Sequence, residues 1–294
     1  VTATQKPAWL KVRLPSHGEF FRVAEILKAG GLHTICQSAR CPNIGECWQR
    51  RTATFLILGD TCTRDCGFCA VAKGTPAGPD PEEPAHVAGA VASLGLAYAV
   101  VTSVTRDDLP DGGAAHFAAV IRAIRAESPA TRVEALIPDF GGDAAALGAV
   151  LDARPEVLNH NLETTESLYP AIRRPPENYR RSLGVLAAAK ARGALTKSGL
   201  MIGLGESEAD ILRTFADLRR AGCDLLTVGQ YLRPAAAHPP VARYYTPDEF
   251  DALGKAAREA GFLEVVSGPL VRSSYEAGRL YDTVRHKDEG TCAT

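Results

Sequence analysis

From about residue 50 onward, short apolar runs rich in β-branched residues recur: TFLILGD (54–60), AYAVVTSVT (97–105), TRVEALIPD (131–139), EVLNHNLE (156–163), TKSGLMIGLG (196–205) and DLLTVGQYL (224–232). Segments with helical spacing separate them. In AAHFAAVIRAIRAES, Phe117, Val120, Ile121 and Ile124 fall at i, i+3, i+4 and i+7, one face of a helix. In SEADILRTFADLRRAG, Ser207 followed by Asp210 resembles a capping box, Ile211, Leu212, Phe215 and Leu218 form the predicted buried stripe, and Gly222 is the predicted stop. This alternation predicts βαβ units on a parallel sheet. Six units are too few for a closed eight-stranded barrel, so an open partial barrel and a doubly wound sheet both satisfy it. Either fold places its ligand at the C-terminal ends of the strands. CTRDCGFC, TRDDLPDGG, NHNLET and GLGE all begin there. Residues 1–50 lack the rhythm and read as an extension packed on the barrel. The Pro/Gly stretch AKGTPAGPDPEEP (72–84) is a loop inside the rhythm, not a linker.

The cysteines narrow the chemistry. An exported protein of this size would spread disulfides across its fold, whereas Cys36, Cys41, Cys47, Cys62, Cys66 and Cys69 crowd together. The N-terminal stretch, which begins at Val1, lacks the apolar core of a signal peptide. A reducing, cytoplasmic setting is therefore expected, where clustered thiols hold metal. Cys223 reads as a small apolar filler and Cys292, in a polar tail, as a bystander. The net charge of −1 supplies no global field for nucleic acid. No apolar run of about 18 residues exists to span a membrane.

CTRDCGFC carries three thiols, while a structural zinc site takes four ligands. The upstream trio, spaced CxxxxCxxxxxC, makes a shared site of six thiolates wasteful, and two sites of three fit better. A three-ligand site keeps an open position. Thiolates also hold iron–sulfur clusters, in which each iron takes one protein ligand.

CxxxCxΦC, with Phe68 before the last cysteine and a place after the first strand of the rhythm, resembles the hallmark of the radical S-adenosylmethionine enzymes. That resemblance implies a partial (β/α)6 barrel, here with an N-terminal cysteine-bearing extension and a C-terminal segment closing over it. It implies that Cys62, Cys66 and Cys69 hold a [4Fe–4S] cluster whose free iron binds S-adenosylmethionine, with Phe68 near the adenine or, alternatively, in the core. CQSARCPNIGECW, RDDLPDGG, KSGLMIGLGE, QYLRP and GPLVRSSYEAG together resemble the lipoyl synthases from about Trp9 to Tyr281. In that family the first trio, Cys36, Cys41 and Cys47, holds an auxiliary [4Fe–4S] cluster completed by a serine of RSSY. The implied ligand is Ser274 rather than Ser273; in an extended segment only one of the two would reach the cluster. Glu276 departs from the family, where histidine is frequent at that position.

The implied activity is radical insertion of two sulfur atoms at C6 and C8 of an octanoyl-lysine, with the auxiliary cluster as sulfur donor. The implied partners are octanoylated lipoyl carriers (the glycine cleavage H protein or the E2 lipoyl domain of a 2-oxoacid dehydrogenase) and a reductant such as flavodoxin or ferredoxin. Unactivated carbons offer no route to acid–base catalysis, and no Ser–His–Asp arrangement is needed. The expected segments are 1–50, a barrel over 51–265, and 266–294 with RSSY. Asn161 and Glu163 are candidate contacts to the ribose hydroxyls, His160 being the one histidine at a strand's active end. RDDLPDGG would shape the loop around the methionine moiety, with Gly112 and Gly113 allowing close backbone approach. GLGE is not a phosphate loop, since no Walker lysine follows. Arg173, Arg174, Arg180 and Arg181 form a candidate patch for an acidic lipoyl domain. Competing readings are another radical enzyme, a two-cluster electron carrier or a zinc-stabilised binding protein.

Overall fold

Every apolar run of the rhythm is a strand in the computed structural model, which describes residues 6–12, 18–50 and 52–291, with 287–291 as backbone. Val1 and Cys292 lie outside the described residues. Two compact units divide the chain, one within Val12–Leu158 and one within Asn159–Thr294 together with the described part of Val1–Lys11.

The first unit contains α1 (Gly18–Ala29), β1 (His33–Thr34), α2 (Ile35–Ser38), α3 (Ile44–Gln49), β2 (Thr54–Ile57), β3 (Thr61–Cys62), β4 (Ala72–Lys73), α4 (Glu83–Leu94), β5 (Tyr98–Ser103), α5 (Ala114–Glu127), β6 (Arg132–Leu136), α6 (Ala144–Asp152) and all but the last residue of β7 (Val157–Asn159). Its strands run β1-β2-β5-β6-β7; β2, β5 and β6 are parallel. Residues 18–50 supply α1 to α3 and β1, and β1 pairs antiparallel with β2. The face predicted for α5 is fully buried at Phe117, Val120, Ile121 and Ile124. Each such side chain contributes about 1.5–3 kcal/mol. The helix starts where Asp111 accepts from the amides of Gly113 and Ala115 at 2.9 and 2.8 Å.

The second unit contains α7 (Glu177–Ala191), β8 (Thr196–Ile202), α8 (Glu208–Arg220), β9 (Leu225–Gln230), α9 (Pro247–Glu259), β10 (Glu264–Gly268) and α10 (Ala277–Thr291). β8, β9 and β10 pair in parallel register. The Ser207–Asp210 capping box is present, and Gly222, at φ +79°, follows the end of α8. One member of the predicted stripe is wrong: Leu212 is 42% exposed. Thr214 takes its place, because Ile211, Thr214, Phe215 and Leu218 keep the i, i+3, i+4, i+7 spacing while position 212 turns about 100° away. A second capping box, Thr246 with Glu249, starts α9 behind Pro247.

Candidate active site

The second cysteine trio lies on a loop fixed at both ends. At its entrance Leu58 and Gly59 adopt left-handed backbone, with φ of +67° and +90°. The Leu58 amide donates to the buried Glu83 carboxylate at 2.8 Å, and Arg106 Nη1 donates to the Leu58 carbonyl at 3.2 Å while its fork grips Asp108. His116 Nε2 lies 2.6 Å from the same Glu83 oxygen. Gly112 and Gly113 do permit close approach, but to Phe140 and Leu58 of this unit: a Cβ on Gly113 would collide with Leu58 Cδ1.

Beyond that entrance, β3 pairs with β4, so Cys62 sits opposite Lys73. The amides of Arg64 and Thr105 both point at Cys62 Sγ, at 3.4 and 3.3 Å. Arg64 then ties the loop to Asp107 at 2.7 Å and to Asp139 at 2.7 Å. Burial opposes the Arg64 charge, but the hydrogen bonds it donates to the two carboxylates outweigh it and raise its pKa. The Cys66 carbonyl accepts from the Cys69 amide at 3.2 Å, closing the end of the trio. Phe68 is half-buried and has no ring partner among the described residues, so it is not a core aromatic.

The first trio is set on helices. Cys36 lies in α2, capped by Thr34, and Cys47 in α3; the Cys41 amide donates to the Cys36 carbonyl at 3.0 Å. Burial raises the Cys36 thiol, and the charge of Cys41 adds to it, against backbone and side-chain hydrogen bonds from Thr54. Cys47 is pushed up to about 12 by burial and then by Cys36 and Cys41. Thiolates at Cys36, Cys41 and Cys47 would repel one another, opposed at Cys47 by the Arg50 charge, and a bound cationic centre removes that penalty. The Trp48 indole N–H is buried without a hydrogen-bond acceptor, while its ring stacks on Phe20 at 5.0 Å.

These features fit an iron–sulfur centre at each trio. Cys36, Cys41, Cys47, Cys62, Cys66 and Cys69 are all unbridged. N–H groups aimed at cysteine sulfur are how a protein tunes such a cluster. Among the described residues no three His, Cys, Asp or Glu side chains converge as one metal ion requires. A four-iron cube asks for a different arrangement, one thiolate on each of three irons.

In the second unit, Asn161 Nδ2 donates to Ser273 Oγ at 2.7 Å, and Asn161 Oδ1 is buried without a partner. Glu163 has φ +74° and exchanges backbone hydrogen bonds with Gly199 and Met201. Burial raises its carboxyl pKa, opposed by the Arg174 charge and a hydrogen bond from Asn161. His160 is buried, with Nε2 2.9 Å from Ser182 Oγ, in the rim network and not at an open surface. The RSSY stretch is not extended: residues 273–276 form a turn into α10, with Glu276 at φ +50°. Ser273 is held by Asn161, whereas the Ser274 hydroxyl makes no hydrogen bond among the described residues. The arginine patch also needs correcting. Arg173 is exposed at φ +56°, which turns the chain so that Arg174 runs inward, buried with its guanidinium 5.1 Å from the Tyr169 ring centroid. Arg180 is exposed and pairs with Glu166 at 3.3 Å.

The Radical SAM superfamily profile matches residues 56–218. Lipoyl synthase of Rubrobacter xylanophilus is 58% identical over 282 residues, covering 95% of this chain and 88% of that protein. The chain belongs to the lipoyl synthase family. Lipoyl synthase of Thermus thermophilus is 55% identical, covering 94% of this chain and 86% of the relative. Solved structures share the fold: methylornithine synthase at a TM-score of 0.53 and 14% identity over 72% of this chain and 70% of that one. Streptococcus suis SuiB bound to S-adenosylmethionine gives 0.54 and 11% over 78% and 54%. As a lipoyl synthase family member the chain is a sulfur-inserting radical S-adenosylmethionine enzyme that uses S-adenosylmethionine and an iron–sulfur cluster and acts on a lipoyl carrier. The α/β class with a mostly parallel sheet is as expected from the rhythm, and its partial-barrel type is as the family resemblance implied. No helix among the described residues is long and apolar enough to cross a membrane.

Proposed function

We propose that this enzyme inserts sulfur at C6 and C8 of an octanoyl-lysine, using two [4Fe–4S] clusters with separate duties. The observation that carries the reading is the pair of cysteine trios, each unbridged and each in its own hydrogen-bonded frame. When bound, the clusters and S-adenosylmethionine supply one-electron radical chemistry and the sulfur. The chain's residues do the holding. Cys62, Cys66 and Cys69 would ligate the cluster that leaves one iron open to S-adenosylmethionine. The amides of Arg64 and Thr105 stabilise negative charge on Cys62 sulfur, and Arg64 keeps the loop from shifting as that charge changes.

Cys36, Cys41 and Cys47, with Ser274, would hold the auxiliary cluster that is the sulfur donor. A serine oxygen is a poorer partner for iron than thiolate, which suits a cluster that must be given up. Phe68 offers a half-buried ring to the adenine. The orphaned Asn161 Oδ1 and the Glu163 carboxyl offer acceptors to the ribose hydroxyls. The carriers are the glycine cleavage H protein or an E2 lipoyl domain, and flavodoxin or ferredoxin the reductant, in the cytoplasm.

The test is anaerobic incubation with S-adenosylmethionine, dithionite and an octanoyl-lysine peptide, read by mass spectrometry beside an iron count. Two cubes require about eight irons per chain. A peptide that gains two sulfurs while 5′-deoxyadenosine accumulates supports the reading. Deoxyadenosine without sulfur insertion, from protein carrying both clusters, refutes it.

A further inference from the structure

Gly199 in β8 and Gly229 in β9 belong to flanking, paired strands, and neither has room for a side chain. A Cβ on Gly199 would lie 2.8 Å from Asn161 Oδ1, 2.9 Å from Ser273 Oγ and 3.0 Å from Thr227 Oγ1. A Cβ on Gly229 would run into the Val271 carbonyl oxygen and lie 3.3 Å from Arg272 Nη1. Neither glycine is at positive φ, so neither is there for backbone freedom. Both are there for clearance. Val271 to Ser273 thus lie directly on the bare backbone of two strands. Val271 closes the approach, its amide donating to the Gly268 carbonyl at 3.1 Å and its Cγ2 3.2 Å from where a Cβ on Gly268 would be.

A side-chain hydrogen bond fixes the first of the RSSY hydroxyls, Asn161 Nδ2 to Ser273 Oγ, across 112 residues of sequence. Ser273 is thereby spent inward. The next residue begins the turn into α10 with its hydroxyl unengaged among the described residues.

We propose that Asn161, Gly199 and Gly229 form a seat that anchors Ser273 and, by doing so, presents Ser274 as the oxygen ligand of the auxiliary cluster. The inference rests on the reading of Ser274 as that ligand. Asn161 is then a positioning residue for the cluster on its amide side, apart from any contact its Oδ1 makes with S-adenosylmethionine. Without the Asn161–Ser273 bond Ser273 is no longer drawn onto the strands, and Ser274 is no longer held at the iron.

The test uses the full chain carrying Cys62→Ala, Cys66→Ala and Cys69→Ala, reconstituted anaerobically so that only the first trio loads. The readouts are the Mössbauer signature of oxygen-ligated iron and the rate at which a chelator removes iron. Ser274→Ala sets the reference for a lost ligand. Asn161→Leu and Gly199→Ala are expected to lose the same signature, with iron leaving about 10- to 100-fold faster, the usual cost of removing a group that orients a metal ligand. Ser273→Ala removes one oxygen and adds no bulk, so it keeps the test open if a bulkier variant fails to fold; it should behave as Asn161→Leu does. A change in Ser274→Ala with none in Ser273→Ala and Asn161→Leu would overturn the seat alone. A Ser274→Ala protein that keeps the oxygen-ligated signature would overturn the ligand reading, and the seat's purpose with it.

Discussion

Replacing Glu83 should loosen the entrance to the cysteine loop more than any contact with the loop's own side chains would suggest. Glu83 sits at the start of α4, and its Oε2 accepts from the buried Leu58 amide at 2.8 Å. In Glu83→Ala that amide loses its acceptor while still shielded from water, which costs about 1–3 kcal/mol. Leu58 is also held at φ +67°, a conformation that costs a residue with a side chain about 1–2 kcal/mol. With the amide tether gone, only the Arg106 bond at 3.2 Å to the Leu58 carbonyl opposes relaxation. That backbone cost is released on opening in parent and variant alike, so only the lost acceptor counts and the local opening free energy should fall by about 2 kcal/mol, or roughly 30-fold in exchange rate. Hydrogen–deuterium exchange of the peptide spanning 54–62, followed by mass spectrometry, reads this directly. Glu83→Gln keeps an oxygen at the acceptor position and loses only the charge, so its exchange should rise by no more than about ten-fold. Protection in Glu83→Ala within about three-fold of the parent protein would refute the tether. Equal effects of the two variants would mean that charge, shared with His116, matters and acceptor geometry does not.

Trp48→Phe keeps the stack on Phe20 and deletes only the buried N–H, so a redox titration should find the auxiliary cluster about 40 mV lower, one hydrogen bond's worth of lost stabilisation of the reduced form. Cys223, fully buried and with its thiol pushed well up by burial, should react with thiol reagents only on unfolding, and Cys223→Ala should leave the iron content unchanged. Glu163→Gln should unfold at a higher denaturant concentration than the parent at neutral pH. The Glu163 carboxyl has a folded pKa above its unfolded one, so its ionisation penalises folding at pH above the folded value. That penalty shrinks as pH falls between the two and is absent below the unfolded value, near 4.5. The advantage of the glutamine should vanish over the same range, and a gain that persists below about pH 4 would contradict the assignment.

The six strands of the rhythm were legible because each is a run of apolar and β-branched residues long enough to be buried, and α5 because its four apolar positions keep one face; β10, a short and half-buried run, was not among them. Leu212 misled because apolar neighbours at adjacent positions look alike in sequence, although helical geometry separates them by about 100°. β1 escaped notice because two residues carry no period. The start of α9 is written locally as T-P-D-E, a capping box with proline at its first position. At the site, the cysteine spacing is local and so could be read directly. The Glu83 tether to Leu58 and the Asn161–Ser273 bond span 25 and 112 residues, and nothing in either local stretch announces the other partner. Arg174 looked like surface charge until the left-handed Arg173 turned it inward.

The seat has a consequence for the order in which the site can be made. The last auxiliary cysteine, Cys47, leaves the ribosome more than two hundred residues before Ser274, a delay of about 10–45 s at typical synthesis rates. β8 and β9 must both be laid down before Val271 to Ser273 have a surface to rest on. On the assignment argued above, a nascent chain therefore carries a three-thiolate auxiliary site with one iron position open to whatever the cell offers. That position can be closed only after β8 and β9 are in place to seat Val271 to Ser273, so the metal centre is finished later than the cysteines that begin it.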